Sequence, residues 1–252
     1  TIIGAGLAGS EAAWQAAQLG VQVVIYEMRP SVSSPAHRSE YCAELVCSNS
    51  LGSNLEGSAP FLLKQELRNL DSLVICSADK HAVPAGSALA VDRNRYAAEI
   101  TEALKGHPNI KFERKEILKI PDDRPLIIST GPLTSESLAS EIGSLLGKDY
   151  LYFYDALSPI LDAESIDYSK VFFASRYGKG SDDYLNCPMS EQDYSLFVSE
   201  LLAAKKVEFK SFEKSFYEKP IYFEGCVPIE ELARRGQKTL AFGPMKPVGL
   251  NH

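Results

Sequence analysis

The sequence lacks any apolar run of about 18 residues, the length that a bilayer-spanning helix needs. It also lacks the order of basic, apolar and small residues that is typical of a secretory signal peptide. We therefore expect a cytoplasmic protein with no membrane partner. No tract is biased in composition and no internal repeat is visible. The 252 residues are enough for one large domain or two smaller ones.

The sequence has no cysteine pairs of the zinc-ligand type, and acidic residues outnumber basic ones. The five cysteines are odd in number, widely spread and without the paired spacing of zinc ligands: Cys42, Cys47, Cys76, Cys187 and Cys226. This pattern predicts free thiols and no metal site. The formal net charge of −7 argues against a protein that binds nucleic acid over its whole surface, although a local basic patch is compatible with it.

The first 29 residues contain the clearest motif. A strand end is followed by three glycines, a helix with small apolar residues, a second apolar strand and an acid. In such a βαβ unit Gly4 permits the tight turn, Gly6 lets the backbone approach a pyrophosphate, and Gly9 lets helix and strand pack closely. Glu27 ends the second strand and can accept hydrogen bonds from ribose hydroxyls. The motif therefore predicts a dinucleotide site.

The acid and its neighbours favour FAD. Glu27 suits an unphosphorylated ribose, and Arg29 completes an E-x-R pattern that is common in flavoproteins. The segment PLIISTGP at 125–132 resembles a later strand and Thr-Gly turn of the same folds. We predict an α/β, Rossmann-like FAD/NAD(P)-binding fold of the glutathione-reductase type. Its predicted cofactor-binding residues are Gly4, Ala5, Gly6, Leu7, Ala8, Gly9, Glu27, Arg29, Thr130 and Gly131.

The remaining pattern predicts a second domain. Within the first part, EYCAELVC reads as a short helix, LLKQELRNLDSLVI as a helix that turns into a strand, and a further helix starts near Asp92. From about residue 136, aromatic-rich strands alternate with turns and one helix. We predict a flavin domain over 1–135 and an inserted, substrate-facing α+β domain over 136–252, with a boundary defined only to some tens of residues. Both ends look cut, so we expect a piece of a longer protein.

Two cysteine readings remain open at this point. Cys42 and Cys47 stand five apart, the spacing of the redox pair in flavin-dependent disulfide reductases, but no second glycine motif follows for a nicotinamide donor. Alternatively, Cys47 is a ligand-facing thiol, because a polar, glycine-containing loop follows it. Cys226 precedes a predicted helix that carries Arg234 and Arg235, and helix amino termini and cations stabilise thiolates.

Many blocks of the sequence resemble one family. In chain order they are GAGLAGSEAAWQ, YEMRP, PAH, AELVCSNSLGSN, VPAGSALAVDR, STGPLTSESLA, DYLYFYDA, SRYGKG, YLNCPM, FEGCVP and ARRG…KTLAFGPMKPVGL. Together they are similar to the folate- and FAD-dependent tRNA (uracil-5-)-methyltransferases of bacteria, the TrmFO family. The blocks run from end to end of the chain.

The resemblance implies a function. Members pass a one-carbon unit from 5,10-methylenetetrahydrofolate to C5 of the T-loop uridine of tRNA, with FAD and with NAD(P)H as reductant. It assigns Cys226 as the nucleophile and Cys47 as its acid–base partner, and it implies that a later glycine-rich segment completes the flavin domain. The same chemistry on ribosomal RNA is the close alternative. Candidate RNA-facing cations are Arg234, Arg235 and Lys246, with Lys205, Lys206, Lys210, Lys214 and Lys238.

Overall fold

A computed structural model describes residues 1–34, 36–147, 161–175, 178, 180–205, 228–243 and 245–246. The chain forms two compact units, Thr1–Leu157 and Ser158–His252. The aromatic-rich stretch DYLYFYDALSPI, predicted as a strand of the second domain, lies wholly outside the described residues, and Cys226 lies outside them as well.

A parallel sheet forms the centre of the first unit. Its strands are β1 (Ile2–Ile3), β2 (Val23–Glu27), β6 (Ile110–Arg114) and β7 (Ile127–Ile128), in the spatial order β6-β2-β1-β7. Ile2 of β1 lies beside Ile25 of β2 and Ile127 of β7. Because all four strands run in the same direction, their carboxyl ends share one edge, where ligands bind in open α/β sheets. The predicted α/β, Rossmann-like fold is confirmed.

Helices α1 (Leu7–Gln18) and α4 (Arg93–Gly106) connect these strands. Asp92 caps α4 by accepting hydrogen bonds from the amides of Asn94 and Arg95, which confirms the predicted start of this helix. Small residues of α1, among them Ala13 and Ala17, are buried in the core. The larger core side chains are β-branched, leucine or aromatic and include Ile25, Tyr96, Ile100 and Leu104.

An antiparallel sheet and two helices lie between α1 and α4 in the chain. The strands β3 (Ser50–Ser53), β4 (Ala82–Val83) and β5 (Ala88–Val91) pair in the order β3-β5-β4. Between β3 and β4 lie α2 (Ala59–Asn69) and α3 (Leu73–Lys80). The prediction of a strand after α2 is therefore wrong. Ser72 starts a second helix instead, because its side chain accepts a hydrogen bond from the amide of Ile75.

The predicted helix over EYCAELVC is also wrong. Residues 41–48 form turns and irregular backbone, and Ala43 adopts the left-handed conformation with φ of 51°. The amide of Ala43 donates to the carbonyl oxygen of Ala5 at 2.8 Å, and the amide of Cys42 donates to Oγ1 of Thr101 at 2.8 Å. These contacts replace the hydrogen bonds that a helix would make, so tertiary structure overrides local propensity here.

A last helix of the first unit is α5 (Glu136–Leu146), which follows a 3-10 turn at Gly131–Leu133. In the second unit, β8 (Phe172–Phe173) pairs with β9 (Leu185–Asn186), and α6 (Glu191–Ala203) confirms the helix predicted there. Two short helices, Ile229–Arg234 and Thr239–Phe242, pack with α6 around Val198, Ala233 and Leu240.

Among the described residues, the helices are all too short or too polar to cross a membrane.

Candidate functional site

The glycine turn between β1 and α1 packs against Ser129, the residue that follows β7. Gly4 has φ of 96°, a conformation that side chains disfavour, and a Cβ atom there would lie 2.8 Å from the carbonyl oxygen of Ser129. The Gly4 amide donates to the carbonyl oxygen of Tyr26 at 2.8 Å. The predicted tight turn at Gly4 thus has both a conformational and a steric reason to be glycine.

Gly9 is required by packing inside the protein. A Cβ atom at this position would lie 1.8 Å from the carbonyl oxygen of Gly4 and 2.5 Å from Oγ of Ser129. Helix α1 can approach the turn this closely only without a side chain at Gly9. The close packing predicted for the third glycine is present.

Gly6 differs from the other two glycines. A Cβ atom at Gly6 would meet only the carbonyl oxygen of Ser129, at 4.0 Å, and its φ of −71° is open to any residue. Neither packing inside the protein nor backbone conformation explains glycine here. Space for a group outside the chain does, which fits the close approach of a pyrophosphate.

The amino terminus of α1 can bind an anion. Gly6 occupies the N-cap position and provides no side chain to accept from the first amides of the helix. Those amides and the positive end of the helix dipole favour phosphate oxygens. Leu7 and Ala8, the exposed residues of the first turn, carry two of these amides. The glycine turn and this helix end, residues 4–9, are called the cradle below.

Glu27 lies at the carboxyl end of β2, buried with 5% of its surface exposed. Its Oε2 accepts from the amide of Ala5 at 3.0 Å, and its Oε1 accepts from Nε of Arg29 at 2.8 Å. Burial raises the pKa of Glu27, but the hydrogen bonds and charge of Arg29, with the Ala5 amide, outweigh it and hold the pKa below its usual value. The group is therefore a fixed carboxylate acceptor.

Arg29 is held between two acids. Its Nε pairs with Glu27, and its Nη1 pairs with Oε2 of Glu44 at 2.9 Å, while only 2% of the residue is exposed. Arg29 borders the same cleft as Glu27, but its charge is already balanced by the two carboxylates. The geometry suits orientation of Glu27 better than capture of a ligand phosphate.

Thr130 and Gly131 follow β7 at the same edge of the sheet. Gly131 has φ of 62°, and the Thr130 hydroxyl lies 2.6 Å from that of Thr134. The preceding residue, Ser129, was not predicted, yet its hydroxyl donates to the carbonyl oxygens of Ile3 and Gly4 at 3.1 and 3.0 Å. Its place directly before the Thr-Gly turn was the available sequence signal.

An open cleft of about 520 Å³ lies at this edge of the sheet. Five of the ten predicted cofactor-binding residues line it, namely Gly4, Gly6, Glu27, Arg29 and Thr130. It is also lined by residues that the sequence did not single out, including Tyr26, His37, Lys115, Glu116, Ser129 and Leu138. The arrangement fits the nucleotide end of FAD or NAD.

The two neighbouring cysteines have different surroundings. Cys42 is a free thiol with 0% exposure, and burial raises its pKa, although Thr101 offsets part of that effect. Cys47 is exposed. A buried, protonated thiol is a poor redox partner, so this geometry gives no support to the disulfide-reductase alternative.

The predicted RNA-facing cations are exposed where they are described. Arg234 pairs with the buried Glu231 at 2.5 Å while its own side chain is 64% exposed. The other exposed ones are Lys205, Arg235, Lys238 and Lys246. Lys206, Lys210 and Lys214 lie outside the described residues, as does Cys226. Among the described residues, no group of three or more His, Cys, Asp or Glu side chains is placed to hold a metal ion.

The family description "glucose inhibited division protein A" matches residues 1–252. The chain belongs to this family. It is 55% identical over 251 residues to methylenetetrahydrofolate--tRNA-(uracil-5-)-methyltransferase TrmFO of Bacillus subtilis strain 168, covering 100% of this chain and 56% of the relative. The TrmFO of Brevibacillus brevis is 55% identical over 250 residues, and that of Sulfurihydrogenibium sp. 53% over 249; each covers 99% of this chain and 56% of the relative.

The resemblance found in the sequence motifs is thus confirmed, and the chain spans about half the length of the curated relatives that it matches. A solved structure of Aquifex aeolicus GidA is similar with a TM-score of 0.38 and 18% identity, over 49% of this chain and 20% of that one. A likeness this weak adds nothing to the assignment of the fold.

Proposed function

We propose that this chain is part of an enzyme that methylates tRNA with folate as the carbon donor. The reaction transfers a one-carbon unit from 5,10-methylenetetrahydrofolate to C5 of the T-loop uridine and gives 5-methyluridine, with FAD as cofactor and NAD(P)H as reductant. The observation that carries the proposal is 55% identity along the whole chain to relatives named for this reaction. A tRNA substrate and free thiols both fit action in the cytoplasm.

The cradle and the cleft would hold the nucleotide end of FAD. The α1 amino terminus offers amides to the pyrophosphate, Gly6 leaves room for it, and Glu27 presents a fixed acceptor to the ribose hydroxyls. Thr130 and Gly131 border the same space. When bound, FAD would supply the reducing equivalents, drawn from NAD(P)H, that turn the transferred carbon into a methyl group.

The cysteines would activate the target base. Uracil C5 is a weak nucleophile until a thiolate adds at C6, which moves an electron pair towards C5. We assign Cys226 to this addition. After C5 has bonded to the one-carbon unit, a base must take the proton from C5 so that the bond between sulfur and C6 can break. We assign Cys47 to that proton, because its thiol is exposed on the chain segment that follows the cradle-bound residue Ala43.

The exposed cations of the second unit would contact the RNA backbone. Arg234 and Arg235 follow Cys226 in the chain, and Lys246 is exposed a short way beyond them. Phosphate contacts by such side chains make binding strongly salt-dependent. The target uridine must also leave its stack to reach a thiol, at a cost of a few kcal/mol.

The deciding experiment supplies the intact protein with a tRNA transcript and labelled carbon donors. We expect label in 5-methyluridine from methylenetetrahydrofolate with FAD and NAD(P)H, and none from S-adenosylmethionine. Incorporation from S-adenosylmethionine would refute the proposal. A ribosomal RNA transcript in a parallel reaction distinguishes the close alternative.

A second experiment tests the nucleophile. Cys226→Ala should abolish the covalent adduct between protein and RNA that a 5-fluorouridine transcript traps. Cys187→Ala is the matched control, since Cys187 is an exposed thiol with no assigned role. An adduct that persists in Cys226→Ala would reassign the nucleophile.

A further inference from the structure

A closed ring of hydrogen bonds joins the cradle to the segment that carries Cys47. Ala5 donates its amide to Oε2 of Glu27 at 3.0 Å, and Arg29 donates from Nε to Oε1 of Glu27 at 2.8 Å. Arg29 also donates from Nη1 to Oε2 of Glu44 at 2.9 Å. The ring closes through the neighbouring residue, because the amide of Ala43 donates to the carbonyl oxygen of Ala5 at 2.8 Å.

The ring is shielded from water. Ala5 and Ala43 are 0% exposed, Arg29 is 2% exposed and Glu27 is 5% exposed. The side chain of Glu44 is 11% exposed. Charge-assisted hydrogen bonds are stronger in such surroundings than at the surface, and breaking one leaves a buried charge without its partner. Breaking the ring is therefore energetically costly.

Ala43, one residue of the ring, has a strained backbone conformation. Ala43 holds φ of 51°, a left-handed conformation that a non-glycine residue adopts at a cost. The bond from Ala43 to Ala5 and the adjacent Glu44 contacts hold this conformation. Glu44 also accepts from the amide of Arg38 at 2.7 Å and from the hydroxyl of Ser39 at 3.0 Å.

Cys47 lies on a short span between two anchors. Glu44 holds the start of the span in the ring. Asn49 holds its end, because its carbonyl oxygen accepts from the amide of Val91 at 2.9 Å and its Nδ2 donates to the carbonyl oxygen of Val91 at 3.1 Å. One of the two anchors on either side of Cys47 is therefore the ring, and the other is the contact of Asn49 with Val91.

We propose that Glu44 is a positioning residue, which closes a ring through Ala5, Glu27, Arg29 and Ala43 and thereby fixes Cys47 relative to the cradle. This deepens the proposed function, in which Cys47 acts on the target base, and rests on it for its significance. The ring gives the thiol and the cofactor cradle one shared framework. Glu44 itself need not touch substrate or cofactor.

The experiment measures alkylation of Cys47 by iodoacetamide in the intact protein without added ligand, with peptide mapping to separate it from the other thiols. The rate is taken at the high-pH plateau, where the thiol is fully ionised, so that a change in thiol pKa does not enter. In Glu44→Gln we expect this rate to rise about fivefold or more, because release of the span lets the thiol adopt more orientations that the reagent can attack. In Glu40→Gln, which removes an exposed charge from the same segment outside the ring, it should change less than about twofold.

A distant variant separates the ring from a purely local role of Glu44. Glu27→Gln breaks the ring on the cradle side, so it should raise the Cys47 rate in the same direction. The double variant should show no more than the larger single effect, because one break already opens the ring. The proposal would be overturned if the rate increase in the double variant equalled the product of the two single increases. A Glu44→Gln rate within about twofold of the parent would also overturn it.

If Glu27→Gln does not fold, the comparison of the Cys47 rates in Glu44→Gln and Glu40→Gln is sufficient to test the proposal. Failure of the methylation assay would count against the proposed function and would leave these rates unaffected, since no FAD, folate or RNA enters the measurement.

Discussion

Gly6 and Gly9 flank the first turn of α1, and we expect their substitution to affect different properties: ligand binding at Gly6 and folding stability at Gly9. At Gly6 a methyl group has open space, with nothing closer than 4.0 Å, whereas at Gly9 it would lie 1.8 Å from a backbone oxygen. We expect Gly6→Ala to fold normally and to lose FAD. We expect Gly9→Ala to lose stability first.

The magnitudes follow from these distances. Alanine is a poorer N-cap than glycine, so Gly6→Ala should cost about 1 kcal/mol or less of unfolding free energy. In Gly9→Ala the Gly4 oxygen and α1 must separate by roughly 1.5 Å to restore ordinary contact. Overpacking of this kind costs about 3 kcal/mol or more. For a unit of roughly 150–250 residues that unfolds cooperatively, this lowers Tm by about 6–12 °C.

Thermal unfolding of the flavin-free intact protein measures the stability of both variants, and flavin absorbance after removal of free FAD measures binding. Gly6→Ala that retains FAD at the parent affinity would show that no phosphate approaches Gly6. Gly9→Ala with an unchanged Tm would show that α1 does not pack on the turn as described.

Two further predictions concern ionisable groups. The pKa of Glu27 is lower in the folded protein than its usual 4.5, so the ionised carboxylate stabilises the fold above that pH. This contribution is lost as the pH falls through the folded pKa. Glu27→Gln should therefore flatten the acid side of a plot of unfolding free energy against pH, and an unchanged slope would contradict this. Cys42 is fully buried and its pKa is raised, so it should react with iodoacetamide only after unfolding, whereas Cys47 should be labelled in the native protein. Equal labelling of both thiols in the native state would be inconsistent with the structure.

Local patterns were sufficient to predict the cradle. The left-handed φ of Gly4 and the contact of Gly9 with the Gly4 oxygen both lie within the turn itself, so the glycine spacing carries this geometry. Asp92 likewise marks the start of α4 by a cap within the next turn. The family resemblance also rests on such contiguous blocks. Properties that depend on neighbouring residues are readable from sequence.

Long-range contacts explain the errors. EYCAELVC has the composition of a helix, but Ala43 is drawn out of helical conformation by its bond to Ala5, far back in the chain. Glu44 shows no motif that points to Arg29, and Ser129 reaches back to Gly4 across 125 positions. A single sequence gives no signal for such pairings.

The charges around the cleft indicate which atoms would bind the pyrophosphate of the proposed cofactor. Glu27 and Glu116 line it together with Arg29 and Lys115, so acids and bases balance, and Arg29 is already paired. A pyrophosphate in this site would therefore depend on backbone amides and the helix dipole rather than on cationic side chains.

Backbone donors release few counterions, so FAD affinity should change little, less than about threefold, between roughly 50 and 200 mM salt. Binding of tRNA through several arginines and lysines should weaken by orders of magnitude over the same range. A steep salt dependence of FAD binding, measured by titration of flavin fluorescence, would show that side-chain cations and not the cradle hold the phosphates.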